Sequence, residues 1–311
     1  MKKAVLLISL IVVIIIGFLV LFPLGDTDAG YVYVEVKDKN IVFHDLSTGN
    51  TTTVKLKGFI DGITPHAVVY IVPNIDEGTF QLKYLYSGSS SITVGTYDMP
   101  ALSGIHTDDF ATFVYGITIG DMNACAISID GEKTCMPVPS DVASDIQILG
   151  PIVKNVRLWY NGEYFYYVGK VIGRFKDGVW EIIDENSDLL YFYAFPISER
   201  RFILGGRTVA LYKDTDLIST STLKLPDRWK PDHMVVCGDI LAVPYKGKGY
   251  KLSIPSLKVV KKLPGIPVGC IDRTVLLFKG IYPVKGDIVD ETGKLYLKDV
   301  SFGVVIGGKG R

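Results

Sequence analysis

Residues 44–56 of this chain read HDLSTGNTTTVKL, in which a turn of Asp, Ser, Gly and Asn leads into a polar strand rich in threonine. The same order of a turn and a β-branched strand returns along the chain. The clear repeats are SIDGEKTCMPV (128–138), FKDGVWEII (175–183), YKDTDLISTSTLKL (212–225), SIPSLKVVKKL (253–263) and VDETGKLYLKDV (289–300), and a weaker one is TYDMPALSG (96–104). Their turns are about 41 residues apart on average.

This period indicates the fold class. Repeats of 40–50 residues with about four strands each are typical of β-propeller blades. Residues 30–311 divide into seven repeats of about 40 residues, so we predict an all-β, seven-bladed β-propeller. Two β-sandwiches, or a ring of six or eight blades, are the alternatives. The predicted blades are 30–57 plus 301–311, 58–100, 101–140, 141–185, 186–226, 227–264 and 265–300.

The two ends of residues 30–311 predict how the ring closes. The first repeat holds only three strands, and one strand, Ser301–Ile306, is left over at the end. We therefore expect residues 301–307 to complete the first blade, which removes exposed sheet edges. No amphipathic helix is predicted after residue 30, and Ala111–Ile119 is among the predicted strands.

One blade carries a family resemblance. Tyr31-Val32-Tyr33-Val34, followed by Val42 and Asp45-Leu46-Ser47-Thr48-Gly49, resembles the strand–turn–strand unit of YVTN-type and quinoprotein-like surface propellers. The resemblance implies a ring of seven or eight blades on a cell surface or in the periplasm. It covers one blade by motif and the other blades only by spacing.

The N-terminus predicts export. Lys2 and Lys3 precede an apolar segment, Ala4 to Phe22, which as a helix spans about 28 Å, close to the thickness of a bilayer core. The preceding positive charges place the C-terminal domain outside. We predict a single-pass anchor in the cell membrane or, if residues 1–29 are cleaved, a secreted protein. A third alternative is cleavage at Lys3-Ala4-Val5-Leu6 by a prepilin-type peptidase.

Composition excludes some functions. The chain has 33 basic and 33 acidic residues, so a nucleic-acid partner is not expected. No nucleophile elbow, phosphate loop or dinucleotide fingerprint is present, and no cofactor is predicted. Scarce glutamine and asparagine suggest a thermophile, and Asn50-Thr51-Thr52 is a glycosylation sequon.

The four cysteines predict two disulfides. Cys125 and Cys135 flank a turn at Asp130 and would lie opposite each other in a hairpin. Cys237 and Cys270 have matching surroundings, MVVCGD and PVGCID, and would lie on neighbouring innermost strands. Four free thiols are the alternative.

Histidines and aspartates mark a candidate ligand site. His66, His106 and His233 are each expected just before the innermost strand of a blade, around the mouth of the central channel. The predicted set is His66, His106, Asp108, Asp109, Asp232 and His233. Such groups bind metals or act as acid–base catalysts, but they also cap loops. The aromatic runs 159–167 and 191–195 either fill the space between blades or stack on sugars.

These observations favour a membrane-anchored surface propeller that works by binding another envelope protein or a surface glycan. A propeller enzyme of the lyase or glycosidase type, using the histidines and aspartates above, is the first alternative. A structural subunit of a surface layer or filament is the second.

Overall fold

A computed structural model describes residues 30–37, 40–86, 91–149, 156–186, 191–198, 200–223, 234–245 and 247–307. Across these ranges the chain forms seven four-stranded antiparallel sheets. The seven-bladed β-propeller predicted from the period is therefore confirmed, and the two-sandwich, six-bladed and eight-bladed alternatives are wrong.

Each blade is a run of consecutive strands, except that the first takes its innermost strand from the end of the chain. Blade 1 consists of β28(Gly303–Ile306), β1(Val32–Lys37), β2(Asn40–Asp45) and β3(Thr51–Lys55), from the axis outward. Blade 2 consists of β4(Phe59–Ile63), β5(Val68–Asn74), β6(Thr79–Leu85) and β7(Ser91–Asp98). Blade 3 consists of β8(Leu102–Ser103), β9(Phe110–Tyr115), β10(Asn123–Ser128) and β11(Lys133–Pro137). Blades 4 and 5 are β12(Leu158–Tyr160)-β13(Phe165–Val168)-β14(Val171–Lys176)-β15(Val179–Glu185) and β16(Tyr191–Ser198)-β17(Arg201–Gly206)-β18(Val209–Lys213)-β19(Asp216–Thr220). Blades 6 and 7 are β20(Val235–Cys237)-β21(Ile240–Tyr245)-β22(Lys248–Ser253)-β23(Val259–Leu263) and β24(Ile266–Ile271)-β25(Thr274–Ile281)-β26(Lys285–Asp290)-β27(Leu295–Val300).

The first strand of each sheet faces the axis and the last faces solvent. Strands β12 and β24 are largely buried, whereas β3, β11 and β23 are largely exposed. In such a ring, the loops that join first to second and third to fourth strands emerge on one face, which we call the lower face. The loops that join second to third strands, and the links between blades, emerge on the opposite, upper face.

Aromatic side chains fill the space between neighbouring blades. Trp159 of blade 4 lies edge-on to Phe202 of blade 5, with ring centroids 5.2 Å apart, and Tyr166 and Tyr212 bury their rings in the same cluster. Burial of each such ring stabilises the fold by about 2 kcal/mol. Phe80 and Phe113 join blades 2 and 3 in the same way. The space-filling interpretation of the aromatic runs is thus the one that the packing supports.

The last strand pairs with the first. In β28 and β1, Ile306 lies opposite Val32 and Gly303 opposite Glu35. The backbone N–H of Ser301 also donates to Glu35 Oε2 at 2.6 Å, and Tyr33 Oη donates to the Ser301 carbonyl at 2.6 Å. Both ends of the described ring, near residues 30 and 307, consequently lie on the lower face.

A helix interrupts the sheets, so the prediction of no amphipathic helix after residue 30 is wrong. Helix α1 (Ser140–Leu149) lies on the upper face in the link between blades 3 and 4. Val142, Ala143 and Ile146 pack into the core between these blades. The burial of these side chains stabilises the helix and offsets the low helix propensity of its Ser, Asp and Val residues. Because the helix depends on this packing, the sequence pattern does not show it.

The predicted membrane segment, residues 4–22, and the whole of 1–29 lie outside the described residues. Within the part of the chain that the structure describes, no helix combines the length and hydropathy needed to cross a bilayer.

Candidate functional site

His66 and Asp108 form a pair on the lower face that joins blades 2 and 3. His66 lies in the β4–β5 loop, and its Nδ1 is 2.6 Å from Asp108 Oδ2 in the β8–β9 loop. The backbone N–H of His66 donates to Asp108 Oδ1 at 3.1 Å. Burial alone would raise the pKa of Asp108, but hydrogen bonds from His66 and Thr64 outweigh it and hold that pKa below its usual value. The carboxylate thus acts as a cap on the neighbouring loop.

His106 makes a separate and more deeply buried pair. Its Nδ1 accepts the backbone N–H of Thr112 at 3.1 Å, which leaves Nε2 to donate to Asp61 Oδ2 at 2.7 Å. The second oxygen of Asp61 accepts the hydroxyl of Ser103 at 2.9 Å. Both ring nitrogens of His106 are therefore occupied by structural hydrogen bonds, and the side chain is only 1% exposed. A proton-transfer role at either nitrogen would require the structural bond at that nitrogen to break.

The placement of these histidines relative to the strands differs from the sequence prediction. His66 and His106 follow the innermost strands β4 and β8 instead of preceding an innermost strand. Asp109 lies in the same loop as Asp108, and its carbonyl accepts the N–H of Ile129 at 3.1 Å. Asp232 and His233 lie outside the described residues. Of the predicted set, the structure brings together His66 with Asp108, whereas His106 pairs elsewhere.

This arrangement favours loop capping over catalysis for His66 and His106. Each of His66 and His106 has its own carboxylate partner instead of a common one. Among the residues with described positions, no group of three His, Cys, Asp or Glu side chains is arranged to hold a metal ion.

Both predicted disulfides are confirmed. Cys125 and Cys135 lie directly opposite each other in the β10–β11 hairpin, with Cα atoms 4.1 Å apart. Cys237 on β20 and Cys270 on β24 join the innermost strands of blades 6 and 7, with Cα atoms 6.1 Å apart. Disulfides of this kind form and persist in oxidising compartments.

A polar cleft of about 500 Å³ lies on the lower face between blades 4 and 5. It is lined by Asn161, Gly162, Glu163, Tyr164, Tyr166, Arg174, Arg200 and Asp214. Its volume is in the range of small-ligand pockets. The Arg174 guanidinium lies 4.3 Å from the centre of the Tyr164 ring and donates to Glu181 at 2.6 Å. The Arg174 guanidinium therefore occupies one face of the Tyr164 ring within the cleft.

Large apolar side chains are exposed at the loop tips of the upper face. Ile75 is 85% exposed in the β5–β6 loop, Ile117 is 70% exposed in the β9–β10 loop, and Ile281, the last residue of β25, is 75% exposed beside the β25–β26 loop. The equivalent turns of blades 4 and 5 are the short polar pairs Gly169-Lys170 and Arg207-Thr208. Single exposed apolar residues are common on protein surfaces, but a concentration on one face marks an interaction surface.

The sequence prediction missed this surface because it assigned Ala111–Ile119 to one strand. Strand β9 ends at Tyr115, and Ile117 and Ile119 belong to the following loop. The glycines on either side, Gly116 and Gly120, both have positive φ values of 76° and 95° and mark the loop that the apolar residues concealed.

No family model matches the chain, and no curated protein sequence is similar to it. Several solved structures are similar to it. Apo AztD from Citrobacter koseri is 12% identical with a TM-score of 0.52, over 90% of this chain and 98% of that one. BamB from Moraxella catarrhalis is 9% identical, with a TM-score of 0.44 over 88% of this chain and 91% of that one. The WD40 β-propeller domain of Doa1 is 12% identical, with a TM-score of 0.44 over 88% of this chain and 87% of that one. At these identities the likeness to AztD shows the fold alone.

Proposed function

We propose that this chain is an extracytoplasmic binding propeller, held at the membrane by residues 4–22, whose upper-face loops dock another envelope protein. The observation that carries this proposal is the set of exposed apolar loop tips on blades 2, 3 and 7, represented by Ile75, Ile117 and Ile281. These side chains do not stabilise the fold while they are exposed to water, whereas their burial against a partner would stabilise a complex.

The two disulfides support the extracytoplasmic part of the proposal. All four cysteines are described and none is free. A cytosolic protein is normally kept reduced, so this pattern fits an exported chain. The apolar, positively preceded segment 4–22 fits the same location.

The geometry of the ring supports the upper face as the docking side. Residue 30 and the end of β28 lie on the lower face, where Gly307 donates its N–H to the Pro65 carbonyl at 2.9 Å. A membrane segment that ends near residue 22 would approach the ring from that side. The upper face would then point away from the bilayer, toward proteins of the surrounding envelope.

Site-specific photo-crosslinking in cells tests the proposal. A photoreactive residue replaces Ile75, Ile117 or Ile281 in the full chain, and matched controls replace Ile182 and Val260, which are exposed on the outer strands β15 and β23. We expect a discrete protein adduct from the three upper-face positions and none from the controls. Equal adducts from all five positions, or none at all, would contradict a docking role for this face.

Thiol trapping tests the compartment independently. Cells are treated with an alkylating reagent before any reductant is added. We expect all four cysteines to resist alkylation until they are reduced, because both pairs are bonded in an oxidising compartment. Ready alkylation of all four in unreduced cells would show that the chain is cytosolic.

A further inference from the structure

One sector of the upper face combines apolar side chains from four separate segments. We call it the isoleucine patch and define it by its exposed members, which are Ile75 (β5–β6 loop), Met99 (link between blades 2 and 3), Ile117 and Ile119 (β9–β10 loop) and Ile148 (helix α1). Each of these side chains is at least 40% exposed, so none is required to fill the core.

Hydrogen bonds hold the segments of the patch together. The N–H of Met99 donates to the Gly78 carbonyl at 2.9 Å, which fixes the link against the β5–β6 loop. The N–H of Val138 donates to the Met122 carbonyl at 2.9 Å, and Gln147 Nε2 donates to the Ile117 carbonyl at 2.6 Å. Helix α1 is thereby fixed against the β9–β10 loop. The patch is a preformed surface whose apolar side chains are supported from beneath by blades 2 and 3.

The rim of the patch is acidic. The segments 73–79, 98–101, 115–123 and 138–149 contain no lysine, arginine or histidine. Their exposed carboxylates are Asp76, Glu77, Asp98, Asp121 and Asp141. Cations also border the sector from outside these segments: the Lys133 ammonium group on β11 lies 4.1 Å from the centre of the Tyr115 ring, and the exposed Lys170 donates its backbone N–H to Asp145 of helix α1 at 3.0 Å. The sector nevertheless keeps a clear excess of negative charge.

This charge selects among the possible occupants of the patch. A lipid surface is bound by apolar side chains flanked by Lys or Arg, which contact anionic headgroups. Carboxylates in those positions would be repelled. A second copy of the chain packed by two-fold symmetry would place the same carboxylates against each other. A partner with basic residues around an apolar core satisfies both the charge and the exposed isoleucines.

We infer that the isoleucine patch docks a segment of a partner protein in which Lys or Arg flank large apolar side chains. The inference deepens the proposed binding function and rests on it. The apolar contacts supply most of the affinity, as buried anchors do in other interfaces. The acidic rim raises the association rate and rejects acidic segments.

A designed peptide tests this chemistry directly. The probe is an amphipathic helical peptide with leucines on one face and lysines on the other. It is titrated onto the full chain in nanodiscs of zwitterionic lipid, with protein-free nanodiscs as the blank. Two comparison peptides carry Glu in place of Lys, or Ser in place of Leu. We expect only the Leu/Lys peptide to bind, and its affinity to fall as salt is raised.

Variants of the patch test how much each group contributes to the affinity for the Leu/Lys peptide. Ile75→Ser and Ile117→Ser each weaken binding by about tenfold. The double variant Asp76→Asn/Glu77→Gln weakens it by about fivefold and flattens the salt dependence. The matched controls Ile182→Ser and Val260→Ser, also exposed but on outer strands, bind within about twofold of the wild type. All five variants keep the wild-type melting temperature to within a few degrees.

Several outcomes would overturn the inference. They are equal binding of the Glu peptide, wild-type binding by the patch variants, and patch-dependent association with phosphatidylglycerol vesicles or with a second copy of the chain. If crosslinks in cells come from Ile281 but not from Ile75 or Ile117, the proposed function stands and the isoleucine patch is wrong. If no upper-face position crosslinks, or if the cysteines are reduced in cells, the proposed function itself fails.

Discussion

His106 and Asp61 show how a single buried pair joins two blades. Asp61 accepts from both His106 and Ser103, across the boundary between blades 2 and 3. Asp61→Ala leaves the Nε2–H of His106 without its acceptor in a dry environment, so we expect a loss of about 3 kcal/mol in the free energy of unfolding. Asp61→Asn keeps an acceptor and should lose less. Denaturant unfolding measures both.

The control for this prediction is an exposed ion pair. Lys285 and Asp299 lie 3.1 Å apart with side chains 61% and 56% exposed. Lys285→Ala removes this pair and should change stability by less than about 0.5 kcal/mol, because exposed pairs are weak. If Asp61→Ala proved as mild as Lys285→Ala, the buried pair would not be a link between blades.

Asp45 supplies a prediction about pH. Its Oδ1 accepts the Ser47 hydroxyl at 2.6 Å and the backbone N–H groups of Ser47 and Thr48 at 2.8 and 3.0 Å. These bonds, above all the Ser47 hydroxyl, lower the pKa of Asp45 to about 2. Because the folded value lies below the unfolded one, the carboxylate stabilises the fold at pH values above about 4. That contribution is lost as the pH falls toward 2.

The comparison variant is Asp45→Asn, which keeps an acceptor at this turn but cannot ionise. We expect the difference in unfolding free energy between wild type and Asp45→Asn to be constant above about pH 5 and to change as the pH falls from about 4 to 2. Urea titrations at a series of pH values measure it, and the other carboxylates cancel in the difference. A flat difference over this range would show that Asp45 is not selectively stabilised as the anion.

At the scale of the strand and the loop, the sequence shows some features and conceals others. The outer turns of the blades are visible because Asp and Gly mark them at regular spacing. The innermost strands are less visible, since β8 has two residues and β12 has three. The shortness of β8 explains why the sequence places His106 one strand out of position. His66 follows β4, a five-residue strand whose Asp61-Gly62 pair resembles a turn. Helix α1 depends on contacts with blades distant in sequence, which no local pattern reports.

The two disulfides differ in the length of chain that they close. Cys237 and Cys270 are separated by 33 residues and join two blades, whereas Cys125 and Cys135 are separated by 10 within one hairpin. The loop-entropy model gives about 4 kcal/mol for the first and about 3 kcal/mol for the second. We therefore expect Cys237→Ser/Cys270→Ser to lower the free energy of unfolding more than Cys125→Ser/Cys135→Ser. Thermal unfolding of the two double variants ranks them, and the reverse order would show that strain or unfolded-state structure dominates.

For the whole molecule, closure of the ring depends on a few residues at the start of β28. Gly303 lies opposite Glu35, and a Cβ atom at this position would come within 2.0 Å of the Val34 carbonyl oxygen. The neighbouring Ser301 backbone contacts Glu35 and Tyr33. Because the collision is with backbone, the strand itself must move to relieve it. The period of the sequence predicts the leftover strand but not this steric requirement, which depends on the pairing.

Gly303→Ala should therefore loosen the first blade and open the ring. We expect a loss of several kcal/mol, as for other overpacked sites, together with early hydrogen exchange in β1 and β28. Ser301→Ala is the matched control, because it keeps the backbone groups that bond Glu35 and Tyr33 and should change stability by less than about 0.5 kcal/mol. If Gly303→Ala unfolds like the wild type while Ser301→Ala does not, the stability of the ring does not depend on the close approach of β28 to β1. If the Gly303→Ala variant unfolds early only in blade 1, the other six sheets are stable without ring closure. Stacking of each repeat on its nearest neighbours allows this result.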